Sequence, residues 1–520
     1  MSVDGAYDIA VVGSGFAGSL FAMIARRLGY SVVLVERGKH PRVVIGESST
    51  PLTNLLLEEL TTRYNLPALT SLAKWGSWQN VHPEVACGLK RGFTFYHHNL
   101  NCAGETDVKR EDQLLVAASP RDEISDTHWY RAGFDSLFVR EAVNLGVEYL
   151  DETELLGVAE SSNEVALTGR RGDQPVRLTA RFVVDASGPH GFLHRSLGLQ
   201  SLDLPNFPST QALYGHFSDV SRLEDQHRET PHEVPPYPVD DAAVHHVFDG
   251  GWIWVLQFNN GITSAGVAAT DSFAARMNFA NEAQAWNRIT ESIPVLKEQF
   301  VKAKVQHGFK RIPRLSFRSA RVAGKRWALL PSAAGFVDPL LSTGFPLTLL
   351  GIDRLARLIE NDWDSPDFTT KLKTYAAITD AELIATGRLI GSLYANMTNF
   401  PAFVSLSLLY FAVASFSETV RRLKKPYLAQ SFLLHDHPAF GPAFNRICDR
   451  ALTIRSREES DQLSKDVLQA IEPFNIIGLG DSKHRNWYPI NAQDLFDSAV
   501  KIQSSEGEIS RMLRSCGFSI

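Results

Sequence analysis

The stretch Asp8-Ile9-Ala10-Val11-Val12-Gly13-Ser14-Gly15-Phe16-Ala17-Gly18 leaves this chain few folds to choose from. The apolar run Ile9 to Val12 has the composition of a buried parallel strand, and Gly-x-Gly-x-x-Gly follows it at once. Ser19 to Leu28 is rich in helix formers, so the glycines fall on a strand-to-helix turn. Ser31 to Val35 reads as the second strand, with Glu36 at its carboxyl end. In a dinucleotide-binding unit each glycine has a mechanical purpose. Gly13 permits the tight turn, Gly15 lets backbone approach a pyrophosphate, and Gly18 lets the helix pack on the strand. The helix amino terminus offers N–H groups and partial positive charge to phosphates, and Glu36 can accept hydrogen bonds from a ribose.

The 520 residues are enough for two or three domains. Charge is near balance, 52 basic against 58 acidic side chains, with no basic block, so no nucleic-acid face is expected. Cys87, Cys102, Cys448 and Cys516 are scattered without metal-ligand spacing, which argues for a reducing compartment and against both a disulfide framework and a metal site. The segment MSVDGAYD lacks a basic region and an apolar core, so no secretory signal is expected. The apolar stretch Phe403 to Phe416 is interrupted by serines and too short to span a bilayer, which points to a buried helix in a cytoplasmic protein with no membrane partner.

Further along, Gly46-Glu47-Ser48-Ser49-Thr50-Pro51 reads as a helix start, with the helix over Leu52 to Leu60. Cys87 to Tyr96 alternates like a strand, placing Gly88, Lys90, Gly92 and Thr94 on one face, so that an open hollow is expected around the Lys90 amine. From the residues alone, a solvated lysine on a strand is the commoner reading. Asn99 to Asp126 is polar and poorly periodic and reads as loop. Arg131 opens another helix, and Arg181 to Asp185 is a strand running into Ala186-Ser187-Gly188. Such a turn approaches the ligand in a doubly wound sheet, but an ordinary corner reads equally well there.

Between Leu199 and Ala320, prolines, histidines and aromatics separate short strands, as in an inserted, mostly antiparallel sheet. Trp252, Trp254, Leu256 and Phe258 share a face by period-two counting, a pattern that a packed sheet face also satisfies. Neighbouring His245 and His246 point to opposite faces, against a joint metal site. Asp338-Pro339-Leu340-Leu341-Ser342-Thr343-Gly344 precedes a helix over Leu347 to Ile359, at whose amino terminus free N–H groups favour an anion: a phosphate, a halide, or nothing. From Asp367 onward the chain reads as helical.

Taken together, Gly13 to Gly18, Gly46-Glu47-Ser48, Lys90 in its glycine-flanked strand, Trp252-x-Trp254 and Asp338 to Gly344 resemble the flavin-dependent halogenases, within the FAD monooxygenases. The resemblance runs over roughly the first 360 residues and looks closest to the branch acting on free phenols. It implies an α/β fold: a Rossmann-like FAD-binding domain (1–85, 127–197 and 321–366), an inserted substrate-side sheet domain (86–126 and 198–320) and a helical carboxyl-terminal cap (367–520). It also implies FADH2 delivered by a separate NAD(P)H flavin reductase, O2, a halide oxidised beside the flavin to hypohalous acid, and Lys90 as the catalytic amine beside a small aromatic substrate. The substrate is either free or held on a carrier protein. Gly13, Gly15, Phe16, Ala17, Gly18, Glu36, Ser48, Arg131, Asp185 and Asp338 map onto flavin contacts, and Thr343 and Gly344 onto the halide cradle.

Departures from the pattern bear on the substrate. Leu256-Gln257 stands where the family continues Ile-Pro, which weakens the distinction from a hydroxylase. Leu341 replaces the glutamate that tryptophan halogenases carry before Ser-Thr-Gly, which favours a self-activating phenol over an indole. Pro331-Ser332 replaces the usual Gly-Asp at the ribityl chain, with Asp338 the nearest substitute. The competing readings are an aromatic hydroxylase reduced directly by NAD(P)H and a flavin-binding relative without turnover.

Overall fold

In the computed structural model, which describes residues 3–100, 110–225 and 234–519, the fingerprint strand runs Val3–Val12 through the middle of a seven-stranded sheet. Ile9, Ala10 and Val11 are fully buried, as a strand covered on both faces requires. It pairs in parallel with Val32–Val35 on one side and Gln174–Asp185 on the other. The first half of Gln174–Asp185 pairs antiparallel with Val165–Arg171, and its last three residues pair in parallel with Trp327–Leu329. Register decides the consequence. Val12 lies opposite both Val35 and Asp185, so the glycine turn, Glu36 and Ala186-Ser187-Gly188 emerge at one edge, as ligands of doubly wound sheets require.

The helix Phe16–Arg27 starts directly behind the turn, with Gly15 as its N-cap. Gly13 holds φ at +98°, a left-handed conformation that disfavours other side chains. A Cβ on Gly18 would fall 1.9 Å from the Gly13 carbonyl oxygen, so helix and turn touch backbone to backbone.

The second layer is a nine-stranded sheet. It is antiparallel apart from two pairings: Ala243–Phe248 with Gly92–His98, and Trp487–Tyr488 with Gln113–Ala117. Gln113–Ala117 corrects the loop expected over 99–126. Leu114, Leu115 and Val116 are buried, and their apolar run was outweighed in the sequence by its polar surroundings. Cys102 lies outside the described residues. The insertion also carries helices, among them Asp271–Met277 and Glu282–Glu291, where only short strands were expected. A separate two-stranded ribbon joins Cys87–Lys90 to Asp126–Trp129, pairing Lys90 with Asp126.

The carboxyl-terminal region is helical apart from Trp487–Tyr488. Its helix Phe400–Arg422 is long and apolar enough to cross a membrane by composition, yet 83% of its most apolar window is buried inside the fold. Its Phe411 packs edge-on against Phe93 and Phe95 of the second sheet, which brings the cap over the strand that follows Lys90.

Candidate active site

A cavity of about 490 Å³ opens at the carboxyl edge of the first sheet and runs to the face of the second. At its near end Gly13, Gly15, Phe16, Ala17 and Glu36 form the wall. Glu36 Oε2 accepts from Ser14 N at 3.0 Å, and Oε1 accepts from Gly38 N at 2.9 Å. Burial pushes its carboxyl up, but Arg42 at 3.2 Å and these N–H donors outweigh that and hold it below the usual range. Arg131 Nε and Nη2 each donate at 2.8 Å to the two oxygens of Asp135, while Nη1 donates to the Gly46 carbonyl at 3.0 Å. Its guanidinium lies above Gly15, where a Cβ would sit 3.5 Å from Arg131 and 3.6 Å from Arg42. Two cations therefore crown the helix terminus that backbone geometry makes ready for phosphates. Arg42 was not anticipated, because nothing in His40-Pro41-Arg42 places it there.

Asp185 is in a different position from the one expected of a cofactor ligand. It is fully buried, and its oxygens accept from Ser187 N (2.8 Å), Ser187 Oγ (2.5 Å) and Leu193 N (2.6 Å). It closes the turn from beneath, while Ala186, Ser187 and Gly188 line the cavity. Gly18 likewise serves packing and is absent from the wall.

At the far end Trp252, Trp254 and Leu256 face the cavity, as their parity predicts. Gln257 turns elsewhere, accepting from Arg222 at 3.1 Å. His245 stacks on Phe95 at 4.3 Å and borders the cavity, while His246 contacts His98 at 2.9 Å, so the two histidines diverge. Among the described residues no cluster of three potential metal ligands occurs.

Asp338 accepts from Leu340 N at 2.9 Å, Tyr394 Oη at 2.9 Å and Trp252 Nε1 at 3.2 Å. This network holds the next two residues, Leu341 (φ 63°) and Ser342 (φ 56°), in the left-handed region, which side chains other than glycine enter only at a cost. The strained turn delivers Thr343 and Gly344 to the start of the helix Gly344–Asp362, whose first N–H groups have no intrahelical partner. Gly344 borders the large cavity and also, with Thr343 and Ser332, a space of about 10 Å³.

Burial raises the Asp338 carboxyl to about 7, against its three donors. A carboxyl raised in the folded state contributes stability at low pH and loses it as pH climbs from the unfolded value near ~4. In the FAD-free protein, Asp338→Asn should therefore melt progressively closer to, or above, the native protein as pH rises from 4 to 7. A gap between their melting temperatures that stays constant with pH would contradict this.

Lys90 is fully buried. Its Nζ donates to Ser48 Oγ at 2.8 Å and to the Ser49 carbonyl at 2.5 Å, and sits 3.7 Å from the Phe93 ring centroid. Burial drives its pKa down, while attraction to Asp126 opposes the fall. The expected hollow is absent. A Cβ on Gly88 would meet the Gln257 carbonyl at 2.1 Å, and one on Gly92 would meet the Val116 carbonyl at 2.4 Å. These glycines admit neighbouring backbone. Parity also fails, because Arg91 breaks the strand: its N–H donates to Asp241 O, and its carbonyl accepts from Ala118. Lys90 and Phe93 therefore meet although counting put them on opposite faces.

A second cavity, about 170 Å³, lies on the other side of Ser48-Ser49-Thr50. Phe93, Val116, Ile124, Tyr410 and Phe411 give it an apolar lining, and Thr50, Asp126, Lys74, Glu418 and Arg422 border it. Ser48 faces the first cavity; Thr50, Phe93 and Asp126 face the second; Lys90 sits between them. Asp126 is a residue that sequence reasoning missed. It supplies a carboxylate beside the lysine from a different strand, so Leu341 does not leave that amine without one.

Comparison with known proteins agrees with this architecture. Residues 8–311 match the model of the family described as FAD dependent oxidoreductase. The chain is 28% identical to tetracycline 7-halogenase of Kitasatospora aureofaciens, over 78% of this chain and 72% of that one. It is 27% identical to monodechloroaminopyrrolnitrin halogenase PrnC of Pseudomonas fluorescens, over 71% and 64%. The crystal structure of halogenase PltM in complex with phloroglucinol and FAD shares the fold, with TM-score 0.83 at 22% identity over 92% of this chain and 99% of that chain. Gly15 under two arginines, beside the Gly13 turn and with Glu36 at the next strand end, makes a cradle that fits a dinucleotide such as FAD. The chain thus belongs to the FAD dependent oxidoreductases: it is a flavoenzyme whose relatives include flavin-dependent halogenases.

Proposed function

We propose that this enzyme halogenates a small phenolic arene, using FADH2 supplied by a separate flavin reductase. The observation that carries the reading is the burial of the Lys90 amine between Ser48, which lines the larger cavity, and Phe93, which lines the smaller one. Bound FADH2 with O2 would supply the oxidant that converts a halide to hypohalous acid. Thr343 and Gly344 are the residues to hold the halide, at a helix terminus beside a space large enough for one water or small anion. Lys90 then receives the hypohalous acid, either by donating a hydrogen bond that polarises it or by forming a haloamine. A depressed ammonium pKa serves both roles. The second cavity, about 170 Å³, suits a single ring, since an apolar cavity of about 150 Å³ accommodates benzene.

The test is a product assay with FAD, flavin reductase, NADH, O2, chloride or bromide, and a resorcinol-like phenol. Halogen isotope pairs on the arene are expected. Gain of oxygen alone would favour the hydroxylase, the reading that Gln257 in place of proline keeps in contention.

A further inference from the structure

Asp126 is the buried acid for which the reading above has no use. Its Oδ1 accepts from Asn54 Nδ2 at 2.8 Å. Its Oδ2 is buried and has no hydrogen-bond partner, although the residue borders the second cavity. A buried carboxylate oxygen left unpaired costs free energy, and a donor brought by a ligand would recover it. Around it stand Phe93, Ile124, Tyr410 and Phe411, which would pack a ring. The charged and titratable groups acting on Asp126 are Lys90, Glu418, Arg422 and Tyr410. With Lys90 already opposite it in the ribbon, a neutral O–H suits the vacant oxygen better than a second cation.

We propose that Asp126 recognises the ring hydroxyl of the substrate and takes its proton as the carbon–halogen bond forms. The proposal rests on reading the second cavity as the arene pocket. The phenolic O–H bond breaks and its proton passes to Asp126, while a ring electron pair attacks the halogen of hypohalous acid. The halogen–oxygen bond breaks, and the departing hydroxide takes a proton from the Lys90 ammonium to become water. The halodienone then loses its ring proton to the Lys90 amine, and its oxygen recovers the proton from Asp126. The sum is arene plus hypohalous acid giving haloarene plus water, with both side chains restored. Burial raises the Asp126 carboxyl toward neutrality, which strengthens it as a base.

The test compares a phenol with its methyl ether on the reductase-coupled holoenzyme. Asp126→Asn keeps the shape and a partner for Asn54, but presents N–H groups where an acceptor stood. The ratio of kcat/KM for phenol over ether should fall about 100-fold in the variant, within the range for loss of a general base. An unchanged ratio, with both substrates falling together, would reduce Asp126 to a structural part and overturn the proposal. Calorimetric binding to the protein carrying oxidised FAD, without halide, reads the same contact with no turnover. There the variant should bind the phenol about tenfold more weakly and the ether equally well. Should the native enzyme halogenate no arene, the halogenase reading fails, and this binding difference decides Asp126 alone: equal phenol affinities would overturn it.

Discussion

Lys90→Met should lower the rate of arene halogenation by about 10³-fold or more while FAD stays bound, a loss typical of removing a positioned proton donor or nucleophile. Methionine keeps the length and much of the volume of the side chain, and with it the packing on Phe93. It removes the donor to Ser48 and Ser49 and the only amine between the two cavities among the described residues. Stability should respond differently. Burial already raises the Asp126 carboxyl, and the variant lacks the Lys90 charge that opposes the rise, so Asp126 keeps its proton to higher pH. A group raised in this way stabilises the fold when protonated and loses that contribution as pH climbs through the raised value. The melting-temperature gap between native protein and variant should therefore widen toward alkaline pH. Halogenation at the native rate by Lys90→Met would remove the amine from the chemistry.

The parts of the site legible in the sequence are those set by local backbone rules. The fingerprint turn needs its glycines at fixed offsets, and Gly13 at φ +98° and Gly18 against the Gly13 carbonyl meet those needs. Thr50-Pro51 announced its helix equally well: Thr50 Oγ1 accepts from Thr53 N at 3.1 Å, with proline at the first helical position. The Lys90 environment was misread because period-two counting assumes an unbroken strand, whereas Arg91 leaves the ladder to meet Asp241 and Ala118. Asp126 was invisible for another reason. Its partnership with Lys90 comes from pairing between strands 36 positions apart, and nothing local to either residue encodes that register. The cap contributes Tyr410 and Phe411 to the pocket on the same terms, through tertiary packing of a helix that looks apolar nearly all round.

Arg131→Met should cost about 3–5 kcal/mol of stability and most of the FAD affinity, and the two losses can be separated. Asp135 is fully buried and receives both of its bonds at 2.8 Å from this one guanidinium. Removing the arginine strands a charge in the interior, which is costly because the carboxylate has already given up water. The same guanidinium donates to the Ile45 and Gly46 carbonyls and overlies Gly15, so it also fixes the segment leading to Ser48. Arg131→Lys should rescue little, since one ammonium cannot form the bidentate pair and reach both carbonyls. The double variant Arg131→Met, Asp135→Leu removes the stranded charge and should recover most of the stability, because uncharged replacements of a buried ion pair are often neutral. Thermal unfolding of the FAD-free proteins measures that recovery, and FAD titration by fluorescence quenching measures affinity. If the guanidinium also serves the phosphates under the Gly15 turn, the double variant regains its melting temperature and still binds FAD at least ~10-fold more weakly than the native protein, the loss expected for a charged hydrogen bond. Recovery of both together would confine Arg131 to holding the fold.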